Sequence, residues 1–406
     1  MNILFLTMSS GFANIEARGI YTDLMRKFRD EGHEVYIIHP NERRSGRPTE
    51  VKYNNKIHCL GVKTLNVTKT NVVEKGIGQL LLESQFKRAL KKFFGNVKFD
   101  VILYSTPPIT FNSVIRYAKE TSEGKAMTYL LLKDIFPQNA VDMGMLSKTG
   151  VKSVLYKMFR KKEKELYQLS DFIGCMSPAN VRYVLKHNLE VNADKVEIAP
   201  NSVDLTPSEV VEEGESTAIL TKYGLPTDKP IFIYGGNLGI PQGIPFLIDC
   251  LEANADRNDC HFVVVGSGTY YQRLADWYKE RKPKAVTVMK GLPKTDYDRL
   301  VRVCQVGLIF LDYRFTIPNY PSRLLSYLEN KMPVIACTDP NCDTGFIAEE
   351  NNFGIYAPSN DLKAFTSAVD RMLMADIKSM GERGYQFFMD NYLVEHTYKA
   401  IMKHLH

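Results

Sequence analysis

Two segments of the chain combine residue types suited to holding a phosphate anion. The first is Tyr234-Gly235-Gly236-Asn237-Leu238-Gly239-Ile240-Pro241-Gln242-Gly243. It follows the apolar run Ile231 to Ile233, expected as a buried strand, and precedes Ile244 to Leu251, expected as a helix. Glycines at such a joint let the backbone close on an anion, and the free N–H groups of the next helix point at it. The spacing is not the dinucleotide fingerprint G-x-G-x-x-G, and a plain tight turn accounts for the glycines equally well. The second segment lies about eighty residues on, where Pro318-Asn319-Tyr320-Pro321-Ser322-Arg323 precedes the apolar pattern Leu324 to Leu328. Ser322 is expected to cap that helix, Pro321 to fix its entry, and Arg323 to offer a forked cation to the same anion. Two helix N-termini with an arginine would form a leaving-group site for a diphosphate. An ordinary capped helix carrying a surface arginine is the plainer alternative.

The elements that must position these residues alternate in type. Strands are expected at Ile3 to Leu6, Val35 to Ile38, Val101 to Tyr104, Ala126 to Leu132 and Phe172 to Cys175. Helices are expected at Gly19 to Arg29, Leu80 to Phe94, Thr110 to Lys119, Val151 to Leu169 and from Pro178. This is the rhythm of a parallel sheet with crossover helices. The polar, acidic stretch Pro207 to Ser216 interrupts it, and the rhythm restarts at Ile231 through Phe262 to Val265, Val286 to Met289, Val306 to Phe310 and Val334 to Ala336. An α/β chain of two Rossmann-like domains joined near residue 206 is the economical reading, and 406 residues suit two cores.

The order of Gly-Gly-Asn-Leu-Gly, then Val264-Val265-Gly266-Ser267-Gly268, then Lys290-Gly291-Leu292, then Pro321-Ser322-Arg323 with Pro333-Val334-Ile335-Ala336 resembles the nucleotide-binding half of a GT-B, family 4 glycosyltransferase. Within that family the chain is most similar to bacterial surface-polysaccharide enzymes of the capsule and O-antigen kind, which include N-acetylfucosamine-type amino-sugar transferases. Lys133-Asp134-Ile135-Phe136-Pro137, Ser177-Pro178-Ala179-Asn180 and Ala199-Pro200-Asn201-Ser202-Val203-Asp204 extend the resemblance over nearly the whole chain. It implies two domains facing each other across a cleft. Residues 1–205 would bind the acceptor, completed by a C-terminal helix 384–406, and residues 206–383 would bind the nucleotide sugar. It implies a retaining hexosyltransferase that moves a sugar, an amino sugar by this likeness, from a nucleoside diphosphate, UDP rather than GDP. The implied acceptor is a polyprenyl-diphosphate-linked glycan. By the same likeness the donor site comprises Gly236, Asn237, Leu238, Gly239, Gly266, Gly268, Lys290, Gly291, Leu292, Pro321, Ser322, Arg323 and Ser326. No cofactor and no metal is implied.

One departure matters. Many relatives carry two glutamates eight positions apart, and here Pro318 and Ser326 occupy those positions. Gln242 stands near where many relatives have a phosphate-binding lysine, which leaves Arg323 as the principal cation.

Ligands gather at the carboxyl ends of the strands of an open parallel sheet. In the first half, Ser9-Ser10-Gly11, leading towards Glu16 and Arg18, follows one expected strand, and Thr106-Pro107-Pro108, Lys133-Asp134 and Ser177-Pro178 follow others. Asp134 is expected to face the acceptor with Lys133 beside it; a helix-capping loop is the alternative. Gly11 and Glu16 are expected on the acceptor side, Gly11 letting its loop approach, with a turn glycine as the alternative. Asp134 and Arg323 are the two residues expected to act in catalysis.

Charge is unevenly divided. Residues 1–205 hold 31 Lys and Arg against 21 Asp and Glu, net +10, and the remainder holds 21 against 25, net −4. The basic residues cluster in Phe86 to Lys98 and Val151 to Lys164, each run carrying apolar residues at helical spacing: Leu82, Phe86, Leu90, Phe93 and Leu155, Met158, Phe159, Leu166. Such helices could lie on an anionic membrane or pack on the core with a solvated basic face. No apolar run is long enough to span a bilayer, and the amino terminus enters a strand without a basic start. A cytoplasmic enzyme, peripheral on the inner face of the membrane, is expected. Seven cysteines without Cys-x-x-Cys spacing read as reduced structural thiols, and no aromatic-and-basic motif points to nucleic acid. Two rival functions share these features: a nucleotide-sugar epimerase of the same fold, and a non-catalytic nucleotide-sugar-binding subunit.

Overall fold

The computed structural model describes residues 1–9, 11–67, 70, 72–205 and 213–405. The chain divides into two compact units, Met1–Asp204 with Tyr392–His406, and Leu205–Asn391. Ser10, His406 and residues 206–212, which include the expected joint and most of the acidic stretch, lie outside the described residues.

The first unit is built on β1 (Asn2–Leu6), β2 (Glu34–Glu42), β3 (Glu50–Asn54), β4 (Ile57–Thr64), β5 (Val101–Ser105), β6 (Met127–Leu132), β7 (Phe172–Cys175) and β8 (Val196–Ile198). Their order across the sheet is β3-β4-β2-β1-β5-β6-β7-β8. All neighbours are parallel except the β3–β4 hairpin. β5 and β6 are buried along their whole length, so they read as unbroken apolar runs, as helix-covered parallel strands must. The helix Ile20–Asp30 turns Leu24, Met25 and Phe28 into the core and carries charge outside.

The C-terminal segment departs from the expected single helix over 384–405. Two helices form instead, Ile377–Asn391 in the second unit and Val394–Met402 in the first. They are separated because Leu393 is extended and pairs with Val203. The Val203 amide donates to the Tyr392 carbonyl, and the Val394 amide donates back to Val203. Ser202 donates to Thr397, which donates to the Pro200 carbonyl, and Arg26 bridges Asp23 and Asp204. The Ala199–Asp204 motif thus ties the last helix to the first unit.

The second unit holds β9 (Ile231–Asn237), β10 (His261–Ser267), β11 (Val286–Lys290), β12 (Val306–Phe310), β13 (Val334–Thr338) and β14 (Gly354–Pro358). The sheet is parallel throughout, in the order β11-β10-β9-β12-β13-β14. This is the doubly wound arrangement whose strand order reverses between the first and fourth strands, here β9 and β12. The glycine segment closes β9, so it sits at that reversal.

Candidate active site

Gly235 and Gly236 end β9, and each needs to be glycine for a different reason. A Cβ on Gly235 would run into the hydroxyl of Tyr297, and Gly236 has φ +121°, a region that L side chains rarely adopt. The Gly235 amide donates to the Tyr327 hydroxyl at 3.3 Å, which donates onward to the Ile233 carbonyl at 3.1 Å. Two of the amides expected to face the anion are already engaged. Leu238 is fully buried and its N–H donates to the Ser267 carbonyl at 2.9 Å. The Gly239 N–H donates to Gln242 Oε1 at 3.2 Å, and the Asn237 side-chain amide donates to the same oxygen at 2.7 Å. Gln242 is therefore a neutral clasp that closes the glycine turn. Gly266 and Gly268 lie against this turn, where any Cβ would strike the Gly236 carbonyl or the Leu238 backbone, so both serve the packing of the loop.

Arg323 is the group that converges on this turn. A Cβ built on Gly236 would lie 3.6 Å from Arg323 Nη2. The guanidinium carbon stands 4.3 Å from the centroid of the Tyr234 ring, a cation–π geometry. Burial pushes the phenols of Tyr234, Tyr297 and Tyr327 up, Tyr297 to about 12, so at neutral pH they are uncharged. No carboxylate pairs with Arg323 among the described residues, and its buried Nη1 has no hydrogen-bond partner. A partly buried guanidinium that lies over a neutral ring, with no carboxylate partner among the described residues, has the chemistry to receive an anion.

Ser322 departs from its expected part. It is exposed, its backbone is already helical, and its side chain caps nothing, because the helix Arg323–Glu329 is entered through the turn Pro321 makes rather than through an extended cap residue. Pro321 and Ser326 are partly buried, with Ser326 one turn beyond Arg323. Lys290 and Gly291 are exposed at the end of β11 and Leu292 is partly buried; Lys290 is in register with Gly266 of β10.

In the first unit the Thr106 hydroxyl accepts the backbone N–H groups of both Lys133 (3.0 Å) and Asp134 (3.2 Å), fixing the loop after β6. Lys133 Nζ donates to the Ala199 carbonyl at 2.9 Å, and burial pulls its pKa down to about 7. Asp134 accepts from the Asn139 side-chain amide at 2.7 Å, and burial pushes its pKa up to about 6. Both groups therefore stand with shifted titration at the carboxyl end of β6, the end of a parallel sheet where ligands gather. Gly11 is exposed with only ordinary contacts, so sterics there do not demand glycine. Glu16 is not brought to Asp134. It pairs with Arg29 at 2.7 Å and accepts from Asn54, and Asn54 faces Ile57, the partner of Val35 at the amino end of β2. That is the opposite end of the sheet, and the attraction of Arg29 is what draws Glu16 there.

The tyrosines were not legible as site residues. Tyr234 stands at the head of the glycine segment, but nothing in the sequence joins it to Tyr297 or Tyr327, which the helices Lys294–Arg302 and Arg323–Glu329 bring beneath the loop. All seven cysteines are buried and free. Among the described residues no cluster of His, Cys, Asp and Glu has a metal-binding arrangement, and no helix is long and apolar enough to cross a membrane.

The two units, each built on a largely or wholly parallel sheet, have the GT-B fold, and comparison with known proteins supports a GT-B glycosyltransferase. Residues 215–386 match the model for glycosyl transferases group 1. The chain is 21% identical over 328 residues, 80% of its length and 78% of the relative's, to the probable glycosyltransferase WbjE of Pseudomonas aeruginosa. Its fold is similar to that of a sucrose-phosphate synthase from Thermosynechococcus elongatus, at a TM-score of 0.74 with 14% identity over 99% of this chain and 98% of that one. HepE of Anabaena in complex with UDP is also similar, with a TM-score of 0.67 and 13% identity over 100% and 99% of the two chains.

Proposed function

We propose that the protein transfers a sugar, an amino sugar, from a UDP-sugar to a polyprenyl-diphosphate-linked glycan in surface-polysaccharide synthesis, with retention at the anomeric carbon. The observation that carries the donor half is Arg323: a partly buried cation with no carboxylate partner among the described residues, at the strand reversal where such folds bind ligands. HepE, similar along its whole length, holds UDP, which supports a uridine nucleotide.

The bond that breaks joins the anomeric carbon to the donor's terminal phosphate oxygen; the bond that forms joins that carbon to the acceptor oxygen. Negative charge grows on the departing diphosphate as an oxocarbenium-like centre develops. Arg323, already desolvated and oriented by Tyr234, would stabilise that charge without reorganising. The leaving phosphate would take the acceptor's proton, so no separate base is required. Asp134, ionised above about pH 6, would orient the acceptor hydroxyl, and Lys133 would fix the loop through Ala199. The first unit is thus assigned the acceptor and the second the donor.

The test is thermal stabilisation by UDP-, GDP- and dTDP-sugars in wild type and in Arg323→Ala, because a ligand that binds only the folded state raises the melting temperature by mass action. UDP-sugars should stabilise wild type most, and Arg323→Ala least. Equal stabilisation of the two proteins would remove Arg323 from the donor site. Incubation with the UDP-sugar alone separates transfer from epimerisation, since only an epimerase converts the donor with no acceptor present.

A further inference from the structure

We propose that the first unit seats the prenyl chain of the acceptor in an apolar cavity beside the Asp134 loop, an inference that rests on reading the acceptor as lipid-linked. The cavity encloses about 220 Å³ and is walled by Pro107, Pro108, Ile109, Phe136, Leu155 and Phe159. It adjoins the candidate acceptor loop through the backbone: Thr106, whose hydroxyl holds the amides of Lys133 and Asp134, is followed directly by the two prolines of the wall. Phe136, two residues after Asp134, packs edge-on against Phe159 with ring centroids 4.9 Å apart, so the two rings form one continuous part of the wall. Gln79 and Thr110 complete the lining, and the Thr110 hydroxyl is buried without a hydrogen-bond partner among the described residues.

The surface outside the cavity has the same mixed chemistry. The helix Lys152–Leu169 leaves Val151 92%, Val154 72%, Leu155 44% and Met158 40% exposed, at positions that share one face. Lys152, Lys157 and Lys161 flank this stripe, are exposed, and take part in no ion pair among the described residues. An apolar stripe edged by unpaired cations fits a chain whose head is anionic, as the diphosphate of a prenyl lipid is. A partner helix is a poor fit, since a helix with its side chains is about 10–12 Å across. In the other basic helix, Val72–Phe94, the expected apolar positions Leu82, Phe86 and Leu90 are in the core instead.

The test uses the whole protein with farnesyl diphosphate as the probe and inorganic diphosphate as its tail-free control, read by calorimetry. Farnesyl diphosphate should bind at least tenfold more tightly than diphosphate. Leu155→Glu, a change at an exposed wall position, should abolish that difference while UDP still stabilises the fold. Val154→Glu, on the stripe outside the cavity, should keep most of it. Equal binding of the two probes by wild type, or farnesyl diphosphate binding unchanged by Leu155→Glu, would overturn the assignment. Turnover distinguishes the underlying reading. A preference for a prenyl-linked over a lipid-free acceptor that survives Leu155→Glu overturns the cavity alone, whereas equal turnover of the two acceptors in wild type overturns both.

Discussion

The guanidinium of Arg323 lies over the ring of Tyr234, 4.3 Å from its centroid, and this stacking holds a cation at the end of β9 with no carboxylate partner among the described residues. A carboxylate partner would neutralise the charge that the proposed donor diphosphate would use. A neutral aromatic face orients the arginine and keeps its charge, and Nη1 has no hydrogen-bond partner. Arg323→Ala should lower kcat by on the order of tenfold to a thousandfold, the usual loss for one charge-stabilising donor. Tyr234→Leu should weaken UDP-sugar binding by about tenfold or more, since a desolvated cation–π contact contributes about 2 kcal/mol, while Tyr234→Phe keeps the ring face, gives up only the hydroxyl's bond to the Asn237 carbonyl, and should lose less. Unchanged kinetics in a folded Arg323→Ala protein would end the assignment.

Gly235 is held to glycine by Tyr297, whose hydroxyl occupies the place a Cβ would take. Gly235→Ala should therefore destabilise the second unit by about 1–3 kcal/mol, as overpacking does. Combining it with Tyr297→Ala should recover part of that loss. A melting temperature for Gly235→Ala equal to wild type would show that the tyrosine yields freely.

Asp134 should set an acid limb on the rate. Burial raises its pKa from 3.8 to about 6, against the opposing hydrogen bond from Asn139. If the carboxylate orients the acceptor, kcat/KM rises with pH through about 6, and Asp134→Asn loses both the limb and most of the turnover while still binding UDP. Asn139→Ala removes a donor that favours the ionised form, so the limb should move to higher pH. Stability carries the opposite sign. Between pH 3.8 and about 6 the native state binds more protons than the unfolded chain, so this group's contribution falls as pH rises through that window. Asp134→Asn should thus be more stable than wild type above about pH 6, by on the order of 1–3 kcal/mol, and show no gain below about pH 4. A pH–rate profile and paired thermal melts check both signs.

How far the chain was legible follows from which interactions are local. β1, β5, β6, β7 and β12 announce themselves as apolar runs bounded by turns, and the reversal at β9 is marked by its glycines. The β3–β4 hairpin escaped, because β3 is an exposed edge strand with little apolar patterning and its turn uses Asn55 and Lys56 at positive φ instead of a glycine. Arg323 was legible from its motif, but its tyrosine surroundings come from three separate elements. Glu16 was misplaced because its ion pair with Arg29 depends on how the loop folds back along the first helix. The break at residue 393, where one continuous helix is expected, escaped for a similar reason: the strand-like contact with Val203 is some 190 positions away in sequence.

The last prediction concerns adsorption to an anionic membrane. Both basic runs were candidates, and the structure treats them differently. In Val72–Phe94, Leu82, Phe86 and Leu90 are buried in the core, and of the four expected apolar positions Phe93 alone is exposed, at 37%. In Lys152–Leu169 the apolar stripe is outside, and the cations divide into two sets. Arg160 bonds Glu163, the His187 carbonyl and Asn188, while Lys162 and Lys164 pair with Glu83 and Glu190, so these three hold the fold. Lys152, Lys157 and Lys161 are the ones available to a surface. Each lysine near an anionic surface contributes about 1 kcal/mol, so reversing these three should lower partitioning by at least two powers of ten. The attraction is screened over about 10 Å at 0.1 M salt, so high salt should release the wild type. Co-sedimentation with vesicles of neutral and of anionic lipid, at low and high salt, reads the effect. The Lys152/Lys157/Lys161→Glu protein should stay in solution, and a Lys87/Lys91/Lys92→Glu protein should sediment like wild type. If the second variant is the one released, the other helix faces the membrane. If wild type itself ignores anionic vesicles at low salt, the basic first unit is merely solvated.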